Sequence, residues 1–360
     1  MIKFSCEKAI LLSGITTASR TVSAKSTIPV LEGLLLEAAN DLRISGYNLK
    51  TGIRTTIEAD VQENGSIVLN ARLFADIVRK MPDDIISISS DQNYMVKLTC
   101  GMSSFEIMGT PSDDFPELPS VEQQNSLFVP EKTLKSIISE TMFAISDNEA
   151  KPVLKGSLFE VSNGELTVVS VDGYRLALRR EKLEKAELVD TTFIVPGNAL
   201  SEVEKIALDR DESVKITLGT KHILFNIGNT ELISRRLEGE FIDYKKSIPN
   251  VNKYAIEVDR KSLIDSVERV SLIINEKIKS PIRCIFGENL LKIHTVTALG
   301  KANDECKVNG DGENIEIGFN NRYMIETLKA APSDSLKILL NSGITPCVIV
   351  PTDDSDSFLY

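Results

Sequence analysis

The segment SVDGYRLALRRE, Ser170 to Glu181, sets a carboxylate, a glycine, a phenol and a guanidinium among apolar residues. Val171, Tyr174, Leu176 and Leu178 give the rough alternation of a strand, and Asp172 and Gly173 interrupt it. A glycine at such a break lets another backbone come close. Leu176 offers apolar surface, and the Arg175 guanidinium can hold a carbonyl or a carboxylate. That is recognition chemistry. Groups that break bonds are harder to find: there is no G-x-x-x-x-G-K-[ST] loop and no G-x-G-x-x-G fingerprint. His222 and His294 lie in the strand-like runs KHILFNI and LKIHTVT and read as structural. NGDGENIE from Asn309 lacks the spacing of a calcium loop and reads as a hairpin turn. Asp353, Asp354 and Asp356 read as a solvated tail. No metal, cofactor or catalytic site is expected.

The elements that must hold such a segment belong to a large chain. Its 360 residues exceed one small core and suffice for two or three domains. Apolar residues at 42% and charged residues at 26% fit a globular protein without a membrane span. The start, MIKFSCEKAILLSG, reads as mature structure. Cys6, Cys100, Cys284, Cys306 and Cys347 are scattered, odd in number and never in a C-x-x-C pair, which favours reduced thiols in a cytoplasm over a zinc site.

Internal repetition organises the chain. FSCEKAI from Phe4, FVPEKTL from Phe128 and IEVDRKSL from Ile256 each pass from an extended segment into a helical pattern, with Lys8, Lys132 and Lys261 corresponding. PVLEGLLLEAANDLRIS from Pro29, PVLKGSLFEVSNGELTVVS from Pro152 and SPIRCIFGENLLKIHT from Ser280 each read as a hairpin. Runs from Ile67, Phe193 and Ile315 each read as a strand entering a short amphipathic helix, and DDIISISS, ESVKITLG and DSLKILLN follow as strands. The expectation is an α+β chain of three equivalent domains, 1–120, 126–246 and 250–360, each built from two strand-helix-strand units. The boundaries fall at Thr110 to Asn125 and at Gly239 to Tyr254.

In the helix over Ala71 to Met81, Leu73, Phe74, Ile77, Val78 and Met81 form an apolar stripe, with Arg72, Arg79 and Lys80 opposite. After Pro130, Leu134, Ile137, Ile138 and Thr141 form the buried stripe, with Lys132 and Lys135 outside it. The six helical segments together carry slightly more base than acid, although the chain carries −11. Three equivalent domains joined end to end make an arc, and two arcs can close head to tail. Helices lining the hole would present their basic bias to a duplex held by backbone contacts.

These landmarks resemble the bacterial DNA sliding clamps, the beta subunit of the DNA polymerase III holoenzyme, over nearly the whole length. The resemblance rests on Pro29 to Glu37, Asp113 to Pro119, Val171 to Leu178, Ile317 to Tyr323 and Ile274 to Lys277, taken in order. It implies a fold of three clamp domains forming half of a ring, helices lining the hole and sheets outside. It implies a cytoplasmic, non-enzymatic processivity factor in DNA replication, a homodimer round double-stranded DNA without sequence preference. The replicative polymerase catalytic subunit, the clamp loader and repair proteins would bind through short peptides. The implied pocket has Leu154, Val171, Gly173, Tyr174, Arg175 and Leu176 on one side, Ile242 and Lys246 from the second linker, and Asn320, Tyr323, Ile344 and Pro346 from the third domain. DNA would be faced by Lys25, Arg72, Arg79, Lys80, Lys132, Lys135, Asn148 and Lys205. The ring interface would use Phe105 and Ile107 against Leu272 and Ile273. Two departures stand out. Ile242 replaces the proline expected after phenylalanine, as in Phe115-Pro116. The chain stops at SDSFLY, before the tail that completes the pocket, so either the sequence continues or one wall is missing. The alternatives are a repeat-built enzyme with a site at a domain boundary, which would need a cluster of acids, His or Cys there, and a protein-interaction scaffold without DNA.

Overall fold

The computed structural model describes residues 1–122, 125–183, 190–275, 280–353 and 355–360. The chain divides into two compact units. Among the described residues, the first holds Met1–Lys135 and Asn198–Arg236, and the second holds Ser136–Leu183, residues 190–197 and Leu237–Tyr360.

The first unit contains helices α1 (Lys8–Ser19) and α2 (Ala71–Lys80), packed on each other. Leu11, Ile15 and Ala18 recur at helical spacing on α1 and are fully buried. The α2 start is fixed by Asn70, whose side-chain oxygen accepts from the Leu73 amide at 3.0 Å. Ala71, Phe74, Ile77 and Val78 face the core, whereas Leu73 is 47% exposed. Leu73 therefore leaves the expected stripe: at about 100° per residue it falls on the flank beside Arg72.

A five-stranded sheet runs in the order Asp60–Glu63, Lys3–Glu7, Ile85–Ser90, Met95–Cys100, Ser103–Met108. An eight-stranded sheet runs Ser126–Pro130, Ser213–Leu218, His222–Ile227, Thr230–Arg235, Thr51–Ile57, Leu42–Tyr47, Gly33–Ala38, Gly65–Asn70. The latter continues from one repeat into the next at the pair Thr230–Arg235 and Thr51–Ile57, where Leu232 faces Ile53. The Thr55 and Thr230 hydroxyls meet there at 2.9 Å, and Arg54 pairs with Glu231 at 3.3 Å. Gly46 lets its strand touch α1, because a Cβ there would lie 2.2 Å from the Ala18 carbonyl oxygen.

The second unit contains α5 (Arg260–Ser271) and α6 (Asn321–Ala330), also packed on each other. Helices α3 (Glu131–Thr141) and α4 (Gly197–Ile206) each cross the division between units. One sheet runs Thr191–Pro196, Gly156–Ser162, Glu165–Val171, Leu176–Lys182, Phe358–Leu359. The other runs Ile315–Phe319, Ile282–Gly287, Leu290–Thr297, Gly300–Asn309, Tyr254–Asp259, Ser335–Leu340, Val348–Pro351. Because Ile315–Phe319 pairs with Ile282–Gly287, the NGDGENIE segment crosses between non-adjacent strands and is not a hairpin turn.

The SDSFLY segment is itself built into this unit. Leu359 pairs with Leu178 and Phe358 with Arg179. Tyr360 exchanges backbone hydrogen bonds with Ile349 at 2.8 and 2.9 Å. Phe358 is 1% exposed and its ring stacks on Tyr360 at 5.1 Å. Arg179 donates to the Ser357 carbonyl at 3.0 Å and meets the buried Glu140 carboxylate at 3.0 Å. Burial pushes the Glu140 pKa up, and the Ser136 hydroxyl and Arg179 oppose the shift.

The hairpin landmarks also need trimming. Pro29–Glu32 and Pro152–Lys155 are single 3-10 turns, where proline supplies the fixed φ, and the hairpins begin at Gly33 and Gly156. The repeat register shifts as well. Lys8, Glu131 and Arg260 each open a helix and donate their amides to the carbonyls of Asp84, Glu212 and Asp334. Lys132 and Lys261 therefore sit one residue deeper than the position of Lys8.

Phe74 is fully buried, so Phe74→Ala should cost about 3–5 kcal/mol. Leu73→Ala should stay within about 0.5 kcal/mol. Urea unfolding followed by fluorescence or circular dichroism compares the two; equal losses would return Leu73 to the core.

Candidate functional site

The Asp172–Leu176 turn is built by its own side chains. The Asp172 carboxylate accepts from the amides of Tyr174 at 2.8 Å and Arg175 at 3.0 Å, an Asx turn. Gly173 has φ +96°, a conformation side chains resist. A Cβ there would meet nothing within 4 Å, so conformation alone requires the glycine.

Arg175 does hold carboxylates and a carbonyl, but they belong to its own chain, and its side chain is 13% exposed. Its Nε donates to Asp172 at 3.0 Å and one terminal nitrogen donates to the Phe143 carbonyl at 2.6 Å. The other lies 2.6 Å from Glu326 of α6, a charge contact whose angle falls short of a hydrogen bond. The guanidinium also sits over the rings of Tyr323 at 4.2 Å and Phe143 at 5.2 Å. A planar fork fills all these positions at once, which an ammonium cannot do.

The other expected pocket residues divide. Tyr174 is 85% exposed, with its ring 6.1 Å from Tyr323. Val171 is buried in a small cluster with Leu158, Leu178 and Tyr244, and Leu176 packs half-buried against it. Leu154 is core, at 1% exposure, and presents no open wall. Asn320 caps α6, its side-chain oxygen accepting from the Arg322 and Tyr323 amides. Ile344 is 97% exposed, and Pro346 and Ile242 are exposed. Lys246 is exposed and pairs with Asp243 at 3.0 Å. Sequence reasoning missed Glu326 and Phe143. Glu326 stands three residues after Tyr323 on one helical face, which was a usable signal.

The candidate DNA-contacting cations are exposed or nearly so, and several already hold an acid. Arg79 pairs with Asp76 at 2.7 Å, Lys132 with Asp211 at 2.6 Å and Lys135 with Asp209 at 3.2 Å. Lys205 pairs with Glu202 at 2.8 Å, and Glu202 also meets Arg20 at 3.4 Å. Asp211 holds the Lys132 ammonium pKa above its ordinary range. Lys25, Arg72 and Lys80 are exposed. Asn148, in the second unit, is exposed and accepts from the Ala150 amide at 2.9 Å.

At the candidate interface, Ser103–Met108 is a sheet edge, paired only with Met95–Cys100 among the described residues. Phe105 is 41% and Met108 64% exposed, whereas Ile107 is half-buried against the core. Leu272 is 83% exposed and Ile273 half-buried just after α5. Of the INEK segment, Glu276 and Lys277 lie outside the described residues.

Three family profiles match the chain in order. The DNA polymerase III beta subunit N-terminal domain matches residues 2–119, the central domain 128–243 and the C-terminal domain 245–358. A beta sliding clamp from Halalkalibacterium halodurans is 32% identical over 98% of this chain and 97% of its own. One from Staphylococcus epidermidis is 30% identical with the same coverage. The DNA polymerase sliding clamp structure from Bacillus subtilis superposes with a TM-score of 0.95 at 28% identity, covering 99% of this chain and 97% of that one. The beta subunit structure from Streptococcus pyogenes gives 0.95 at 29% identity, covering 99% and 98%. With its three segments matched in sequence and its backbone superposed over nearly the full length, the chain belongs to the DNA polymerase III beta subunit family, the bacterial beta sliding clamps.

Proposed function

We propose that this chain is a sliding clamp that encircles duplex DNA and tethers the replicative polymerase, an accessory subunit without a catalytic site of its own. Membership of the beta clamp family along its full length carries the reading. Three domains, 1–120, 126–246 and 250–360, form half of a ring, and a second copy closes it with helices facing the DNA. The ring acts in the cytoplasm. Polymerase, clamp loader and repair proteins dock through short peptides on the surface around Val171, Tyr174, Leu176 and Tyr323. DNA is held through its backbone by Lys25, Arg72, Arg79, Lys80, Lys132, Lys135, Asn148 and Lys205. Retention on a nicked circle, lost when the circle is linearised, is the expected behaviour; equal retention on both forms would remove the clamp reading.

Closure is proposed to join the Ser103–Met108 edge of one copy, with Phe105 and Ile107, to the region of Leu272 and Ile273 of the other. Both regions expose apolar side chains, and an unpaired strand edge seeks a partner. Leu272→Lys with Ile273→Lys should place charge in that contact and yield monomers in analytical ultracentrifugation. A dimer mass unchanged from the parent would place the interface elsewhere.

Two variants separate recognition from scaffolding at the pocket. Leu176→Ala should weaken a labelled clamp-binding peptide roughly ten-fold, about 1.4 kcal/mol, with little change in melting temperature. Arg175→Ala leaves the nearly buried Asp172 without its guanidinium, although two backbone amides still reach it, and should lower stability by about 1–3 kcal/mol. Unchanged peptide affinity in folded Leu176→Ala, or unchanged melting in Arg175→Ala, would contradict the corresponding role.

A further inference from the structure

The loop after α4 is tied to the start of α3. The Glu131 amide donates to the Glu212 carbonyl at 2.8 Å and the Lys132 amide to the Arg210 carbonyl at 3.0 Å. The Leu208 amide donates to the buried Glu131 carboxylate at 2.6 Å. These bonds hold Asp209 and Asp211 beside Lys135 and Lys132, at 3.2 and 2.6 Å. Both aspartates remain 83% exposed.

The same junction in the other repeats is wired differently. There the helix's first residue is itself the cation: Lys8 pairs with Asp83 at 2.6 Å, and Arg260 with Asp334 at 3.0 Å. In the central repeat the equivalent residue is Glu131, which fastens the loop through an amide. The aspartates are thereby released from anchoring the loop, and they sit over lysines one and four residues farther along the helix.

We propose that Asp209 and Asp211 are built-in counter-ions that occupy Lys132 and Lys135 when DNA is absent and yield to its phosphates, so limiting how tightly the protein holds a duplex. The proposal rests on the reading above that these two lysines face DNA. Exposed ion pairs are weak, so a phosphate can replace the carboxylate. Each phosphate contact gains only the difference between the two anions, which keeps non-specific binding loose and salt-sensitive. A protein of net charge −11 already repels DNA over its surface at large. These aspartates act locally, at two designated contacts.

The test uses the intact protein and fluorescence anisotropy of a labelled linear duplex at low salt. Asp209→Asn with Asp211→Asn should bind about three- to ten-fold tighter than wild type, the gain fading as salt rises. Glu63→Gln with Glu288→Gln removes the same charge from exposed sites elsewhere and should give a clearly smaller gain. Lys132→Ala with Lys135→Ala should weaken binding, and adding the asparagines to that variant should restore nothing. A gain equal to the control's, no gain, or a gain that survives loss of the lysines would overturn the counter-ion role while leaving the lysines as DNA contacts. If the lysine variant binds as wild type, with a native melting curve, the DNA-facing reading fails and this inference with it.

Discussion

Backbone hydrogen bonding at sheet edges is the constraint from which the rest of the architecture follows. An edge strand leaves a row of donors and acceptors that must be paired, covered or blunted. In the first unit the edge of one repeat's hairpins is paired by the next repeat, through Thr230–Arg235 against Thr51–Ile57. In the second unit Phe358–Leu359 pairs with Leu176–Lys182, while Tyr360 bonds Ile349. Side chains reinforce both seams, a threonine pair and an ion pair at one, aromatic rings and the Arg179–Glu140 contact at the other. In the first unit one continuous sheet carries the two repeats, and in the second Phe358–Tyr360 bridge two sheets.

Charged side chains here serve the frame as much as any partner. Arg175 looks like a ligand-binding arginine, yet two carboxylates, a carbonyl and two rings surround it. Its fork fixes the turn that carries Tyr174 and Leu176, so the geometry of that surface depends on it. Lys132 and Lys135 tell a related story at the surface, where the lysine is exposed and its nearest anion belongs to the same chain.

The fold was legible in the sequence wherever periodicity was strong. Phe4 and Cys6 alternate into a core, and Phe74, Ile77 and Val78 repeat at helical spacing. Order across three repeats gave the family where no single motif could. The errors share a cause. Hydrophobicity alone places Leu73 in the stripe, although its angular position beside Arg72 puts it in water. Residue identity aligns Lys8 with Lys132, whereas strand register aligns Lys8 with Glu131. Arg175 looks available to a partner in sequence because Phe143 and Glu326 stand 32 and 151 residues away, beyond any local pattern. The closing strand was missed because Phe358–Leu359 is two residues long and carries no period at all.

The cysteines have a practical consequence. Cys6, Cys100, Cys284 and Cys306 are buried and Cys347 half-buried. Burial pushes the Cys6 thiol to about 11 and the Cys347 thiol to about 12, and raises Cys284 and Cys306 as well. The thiolate is the form that alkylates, so at neutral pH these four sulfurs are poor nucleophiles, and Cys100, 2% exposed, is shielded by its burial. Site-specific labelling with a maleimide can therefore begin from the native sequence. One cysteine installed at the solvent-facing Tyr174 position would outcompete the five residents, and a dye could report from the Asp172–Leu176 turn without a cysteine-free background.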